Sequence, residues 1–293
     1  MDAYPIQLLP ETDPHYPALL KEITAPPPLY CRGDITLLTS PCFAVVGTRQ
    51  ITSYGQEATQ HIVRELVRSG LTIVSGLAFG IDSVAHQTTL ECGGKTIAVL
   101  GSAIDDAGIS PRTQLTLARK ILAQGGLIIS EYPVGSQVHK GTFPTRNRIV
   151  SGLSRGVLVV EANEKSGALI TAQWALEQNR DVFAVPGSIF WPRSVGPNAL
   201  IKKGAKPVLN AQDILEEYPD FQPQMQAHLL PELNPLEQQI ITALQEKGPS
   251  FIDTIMHQVN AEASAVIATV SILEIKGLVK HTGNQTYQLA SQS

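Results

Sequence analysis

Cysteine is scarce in this chain, and the little there is does not pair. Cys31, Cys42 and Cys92 are odd in number and widely spaced, with no CxxC. That spacing argues against a disulfide frame or a zinc site and predicts reduced, mostly buried thiols. No stretch approaches the roughly 20 apolar residues that a membrane helix needs. The start, MDAYPIQLLPETDPHYP, has no basic segment followed by an apolar core, so the expected location is cytoplasmic. Two phosphate fingerprints, G-x-G-x-x-G and G-x-x-x-x-G-K-[ST], are missing, which counts against NAD enzymes and ATPases. The histidines are scattered, and no nucleophile elbow with a supporting acid is present. The expectation is a chain without catalytic residues, metal or cofactor. A surplus of positive charge is lacking as well: the net charge is −4 and the pI near 6.0. Any nucleic acid must therefore be held in a local pocket and not wrapped over a basic surface.

What is present fills 293 residues, enough for one large domain and a small one. Residues 1–41 carry eight prolines and read as an extended arm, with one short helix near Ala18–Ile23, lying against the core. From 42 to 215 apolar runs alternate with helical patterns. The runs are FAVVG (43–47), LTIVSG (71–76), TIAVLGS (96–102), GLIISEYP (126–133), GVLVVEA (156–162) and DVFAVPG (181–187). Six such runs, mostly separated by helices, predict a doubly wound α/β fold, and their continuous apolar character predicts parallel pairing. Ligands of such sheets bind at the carboxyl ends of the strands. Residues 216–232 read as a linker. Residues 233–293 read as three helices and a hairpin around Gly283-Asn284, which is a winged helix. From Glu232 onward this tail has six acids, three lysines and no arginine, and its third helix has Lys276 as its one base, which argues against reading duplex.

The stretch Lys140–Ser154, KGTFPTRNRIVSGLS, gathers Lys140, Arg146, Arg148, Phe143 and the amide of Asn147 between two buried strands. Guanidinium forks suit phosphate oxygens, and a phenyl face suits a base. Thr145 is placed to cap a helix that Arg146 and Asn147 would open. Gly47-Thr48-Arg49 ends the first strand and puts a cation beside helix amides. Ser75 and Gly76 end the second, where a ligand could approach the backbone. Asp82 and His86 lie i, i+4 on one helix; a capping acid with a packed imidazole outweighs a metal or catalytic pair. Ser166 reads as a helix cap followed by small packing residues, and Glu161 is placed to orient Arg146 or Arg148.

Taken in order, GTRQITSYG, VSGLAFGIDSVAH, KGTFPTRNRIVSGLS, VVEANEKSGALITAQWALEQNRDVFAVPG and GPNALIKKGA resemble the DNA-processing protein A family (DprA, also called Smf) over about Tyr16–Ile214. The resemblance implies an extended Rossmann-like fold, homodimers, and single-stranded DNA bound without sequence preference and handed to the RecA recombinase, notably in natural transformation. It implies phosphate contacts for Arg49, Lys140 and Arg146, a pocket lined by Ser75 and Gly76, and Phe143 beside a base. Where that family usually has Tyr-Pro and then Asn after the third strand, this chain has GISPRTQ, with Ser110 and Gln114 in those places. The small helical domain that precedes the fold in some relatives is reduced to the proline-rich arm. Two rival readings are a phosphoribohydrolase-type enzyme and a winged-helix transcription regulator. The first expects a PGGxGT-type loop with an acid, and PGSIFWP is the nearest candidate. The second expects selective duplex binding by the tail.

Overall fold

The computed structural model describes residues 4–137, 139, 141–221, 233–259, 261–276, 278–283 and 286–289. The chain forms two compact units, residues 1–224 and 225–293.

The first unit is a nine-stranded sheet. Its elements run β1 (Ile6–Leu9), α1 (Ala18–Lys21), β2 (Leu29–Gly33), β3 (Cys42–Val46), α2 (Ser53–Arg68), β4 (Thr72–Ser75), α3 (Ile81–Glu91) and β5 (Thr96–Leu100). There follow α4 (Leu115–Ala123), β6 (Leu127–Ser130), α5 (Thr142–Gly152), β7 (Gly156–Val159), α6 (Gly167–Glu177), β8 (Asp181–Ala184), α7 (Val195–Lys202), β9 (Lys206–Pro207) and α8 (Gln212–Leu215). The strand order is β1-β2-β6-β5-β4-β3-β7-β8-β9. Strands β3 to β9 are parallel wherever they pair, while β1 and β2 add an antiparallel edge beyond β6.

The parallel pairing follows from the burial of β3 to β7 at every position, which leaves no solvent face. Alternate side chains feed two layers. Ala44, Val46, Val157 and Val159 pack on Ile149, Val150 and Ala172 of α5 and α6. Phe43, Val45, Leu158 and Phe183 pack on Ile62, Leu66 and Ala85 of α2 and α3. Fully burying a side chain of this size stabilises by about 1.5–3 kcal/mol. The sheet winds away from β3 in both directions, toward β4 on one side and β7 on the other, so a crevice opens there above the carboxyl ends.

The arm differs from its sequence reading. It includes the expected short helix, but it also supplies β1 and β2. Leu20, Ile23, Leu29 and Cys31 are buried in the core. The prolines fall outside these two strands and so cost no ladder bonds. The first part of the expected linker also packs: Tyr218 is buried among Phe43 and Phe183 and donates to Asp181 Oδ2 at 2.8 Å. Residues 222–232 lie outside the described residues. Burial pushes the Cys31 and Cys42 thiols up to about 12, and Cys92 is exposed; all three are free.

The second unit runs α9 (Pro235–Lys247), β10 (Ser250–Phe251), α10 (Ile252–Val259), α11 (Ala263–Ile275), β11 (Val279–Gly283) and β12 (Thr286–Leu289), with sheet order β10-β12-β11. Asn234 and Glu237 form a reciprocal capping box at the start of α9. Lys276 reaches Glu237 at 2.6 Å and, with the Asn234 amide, holds that carboxyl below its usual range. Ile240, Leu244, Ile255, Val266, Val270 and Leu273 form a separate core. Ile267 and Ile272 stand exposed on α11, where a duplex reader would carry cations. Asn284, at the expected hairpin tip, lies outside the described residues.

Candidate nucleic-acid interface

A cleft of about 750 Å³ lies at the switch point of the sheet. Residues 46–50 at the end of β3, Gly76 and Ala78 after β4, the first turns of α5, and Asn163 and residues 165–168 after β7 enclose it. Of the expected site residues, Gly47, Thr48, Arg49, Gly76, Phe143, Arg146 and Asn147 line it together. Lys140 lies outside the described residues.

Ser75 and Arg148 are placed elsewhere. The Ser75 hydroxyl is buried and donates to Val45 O at 2.7 Å, so it staples β4 to β3 and does not face the cleft. Arg148 donates to Glu131 Oε1 at 2.5 Å and to Ala25 O at 3.3 Å, which ties α5 to the end of β6 and to the arm. On a helix, positions 146 and 148 point some 200° apart, so both could not face one cleft.

Helix α5 also starts earlier than Thr145. It begins at Thr142, because Pro144 falls in the first turn, where its missing N–H costs nothing. Thr142 Oγ1 donates to Gly101 O at 2.6 Å, fastening the helix start to the end of β5. Thr145 Oγ1 donates back to Gly141 O at 3.0 Å and is not the cap.

Arg146 forms the floor. It is 5% exposed, and its guanidinium donates to Gly76 O at 2.8 Å and to Val99 O. Asp82 faces it across Gly76. A Cβ on Gly76 would lie 2.6 Å from Arg146 Nη2 and 2.8 Å from Asp82 Oδ2, so only glycine fits. Asp82 accepts from the amides of Gly76 at 3.1 Å and Ala78 at 3.3 Å. Burial pushes its carboxyl above the usual range, against the pull of Arg146 and these amides. Burial brings Arg146 down to about 10, opposed by Asp82 and aided by the charge of Arg49. His86 is packed as expected: Nδ1 meets Thr96 Oγ1 at 2.7 Å, and burial lowers it to about 3. Among the described residues no cluster of His, Cys, Asp or Glu is arranged to hold a metal ion.

The rim is different. Arg49 is exposed, and its guanidinium carbon stands 5.9 Å from the centroid of the half-buried Phe143 ring. Asn147 donates to Gly167 O at 3.1 Å, which sets α5 against the start of α6. The Arg49 turn is positioned by Glu161, which is 2% exposed. Its carboxylate accepts from Thr52 N–H at 3.1 Å and Thr52 Oγ1 at 2.5 Å, while Thr52 caps α2. A Cβ on Gly55 would collide with the Glu161 carboxylate. Glu161 therefore orients the Arg49 turn, and not Arg146 or Arg148 as its position in the sequence implied.

Sequence reasoning missed Gln50, His139, Asn163 and Lys165, which also line the cleft. Lys165 had a readable signal: it stands just before Ser166, whose side chain caps α6 by accepting from Ala168 N–H at 3.3 Å. A cation beside a helix start after a switch-point strand belongs to an anion site. The departure GISPRTQ leaves a wall in place, since Gln114 donates to Ala78 O at 3.2 Å and Ser83 Oγ at 2.5 Å.

Fold and cleft together define an extended Rossmann-like protein with a cationic, aromatic-edged cleft at its switch point, followed in the chain by a separate winged-helix unit. The model of the family described as DNA recombination-mediator protein A matches residues 7–219, and that of the DprA winged helix domain matches residues 224–284. The chain belongs to the DNA recombination-mediator protein A family. It is 46% identical over 217 residues to the DNA processing protein DprA of Bacillus subtilis, covering 73% of this chain and 72% of that one. It is 40% identical to the protein Smf of Synechocystis, covering 96% and 80%. The X-ray structure of DprA from Streptococcus pneumoniae aligns with a TM-score of 0.68 at 43% identity, over 74% of this chain and 75% of that one. A Helicobacter pylori DprA structure, described by its single-stranded DNA binding mode, aligns with a TM-score of 0.66 at 33% identity, over 74% and 97%.

Proposed function

We propose that this chain binds single-stranded DNA in the switch-point cleft without regard to sequence, and acts as a non-enzymatic recombination mediator. The observation that carries the reading is the pairing of Arg49 with Phe143 at the mouth of a cleft in a protein whose net charge is −4. A cation and a ring face on one rim suit a phosphate and its neighbouring base, whatever that base is. The description of the Helicobacter pylori relative supports the same ligand class.

Arg49 and Lys165, both lining the cleft, take backbone phosphates, and Phe143 stacks a base. Duplex is excluded because its bases are already stacked on each other and offer no face to Phe143. The non-enzymatic reading rests on Asp82. Among the described cleft residues it is the one carboxylate, buried beside Arg146, with its Oδ2 accepting from the Gly76 and Ala78 amides. It is not poised to activate water.

We further propose that the strand is handed to RecA in the cytoplasm and that the protein works as a homodimer; the description of the family as recombination mediators supports a role in strand hand-over. Mobility-shift titration of oligo-dT against duplex of equal length tests the binding. Preference for oligo-dT is expected; equal affinity for duplex, or none for either, would end the reading. RecA filament growth on single strands, with and without the protein, and sedimentation test the other two statements.

A further inference from the structure

Ile189, Phe190 and Trp191 project from the loop between β8 and α7, and are 79%, 87% and 49% exposed. Three consecutive large apolar side chains in water are a fault in a fold unless they serve a purpose. The loop that carries them is built. The amides of Phe190 and Trp191 donate to Ser188 Oγ at 3.3 Å and Ser188 O at 3.1 Å. The Trp191 ring packs edge-on against Tyr54 at 5.9 Å, and the Tyr54 hydroxyl donates to Pro186 O at 2.6 Å.

Its position points to the occupant. Ala162 N–H donates to Arg193 O at 2.8 Å, and Arg193 Nη2 donates to Gln50 Oε1 at 3.5 Å. Gln50, and Asn163 next to Ala162, line the cleft, so the aromatic loop shares a rim with it. Arg49, Lys165 and Arg193 are cations of that rim, and none is paired with a carboxylate among the described residues. Three side chains fall well short of the roughly 20–30 residues per side of a stable protein interface. Ring faces beside unpaired guanidinium groups suit an unpaired polynucleotide.

We infer that Ile189–Trp191 is a second base platform, onto which a single strand runs as it leaves the cleft. Phe190 and Trp191 offer ring faces to bases, and Arg193 offers a guanidinium to the phosphate between the cleft and the platform. This rests on the cleft being a single-stranded DNA site and extends its footprint. Binding should therefore strengthen with oligonucleotide length beyond what the cleft alone holds.

The test is a length series of oligo-dT titrated into the full chain, the double variant Phe190→Ala/Trp191→Ala, and Arg49→Ala. Both loop residues are exposed, and circular dichroism confirms the fold of the variant. The expected result is unchanged affinity for the shortest oligomer that binds, with loss of about tenfold or more for long ones. In a Trp174→Phe background, long oligo-dT should quench Trp191 fluorescence and short oligo-dT should not. A double variant that binds every length like the parent, while Arg49→Ala weakens binding, would overturn the platform and leave the cleft reading standing. A parent that binds no oligo-dT would overturn both. Loss of self-association in the double variant with unchanged affinity per protomer would assign the loop to a second copy and overturn the platform.

Discussion

Arg146 and Arg49 border the same cleft, yet one is sealed beneath it and the other stands in solvent on its rim. The floor, made of Arg146, Asp82 and Gly76 with the buried His86 nearby on α3, has its polar atoms turned mostly inward to backbone carbonyls, amides and a threonine. The rim, made of Arg49, Phe143 and Lys165, turns charge and ring outward. A guanidinium with two carbonyls already in its fork adds positive potential to the cleft but has little left to grip a phosphate with. An exposed one beside a ring has its donors to give. The same residue type serves rigidity in one place and recognition in the other, and burial decides which.

The largest expected effect breaks the floor. Arg146→Ala would orphan Gly76 O and Val99 O and leave Asp82 buried beside no cation, at a cost of about 3–5 kcal/mol. Denaturant unfolding should show this loss without any DNA present.

The floor also has a pH signature. The His86 imidazole, lowered from 6.5 to about 3 by burial, stays neutral in the folded chain while the unfolded chain takes up a proton. Stability therefore falls as pH drops through that window, by up to about 1.4 kcal/mol per unit. Asp82, shifted upward, works in the opposite sense at the acid end. His86→Gln should flatten the slope of unfolding free energy between pH 6 and 4, a window on the order of two units inside the shift.

Glu161→Gln probes the join between the two regions. It keeps the shape but replaces a charged acceptor of Thr52 with a neutral amide, and should cost about 1–2 kcal/mol of stability. Weaker oligo-dT binding is expected with it, as the Arg49 turn loosens; unchanged melting and unchanged affinity would remove Glu161 from the account. The smallest effect belongs to Lys165→Ala on the rim. It should lower affinity about fivefold for all sequences alike and reduce the salt slope by about one, with the melting temperature unmoved.

Much of the frame could be read from the residues. Runs such as FAVVG and GVLVV are apolar at every position, so they predict strands covered on both sides, and those strands carry the cleft. Strands β1 and β2 escaped because an antiparallel edge is half exposed: in IQLL three of four residues are not buried, and LYCRG contains an arginine. The cleft was legible as a set of residue types after particular strands. It was less legible as a set of directions. That Ser75 turns into the sheet, that Arg148 turns to Glu131, and that Glu161 holds Thr52 across 109 positions of sequence are outcomes of tertiary packing. No local pattern encodes them. Lys165 escapes a reading that takes SGALITA as a helix cap with small packing residues, although its neighbours mark an anion site.

The division between floor and rim is tested most directly by the salt dependence of oligo-dT affinity in Arg49→Ala, with denaturant unfolding measured on the same preparation. The account predicts an unfolding midpoint equal to that of the parent, weaker binding at every salt concentration, and a log–log slope shallower by about one. Parent-like affinity and slope in a folded Arg49→Ala protein would contradict it.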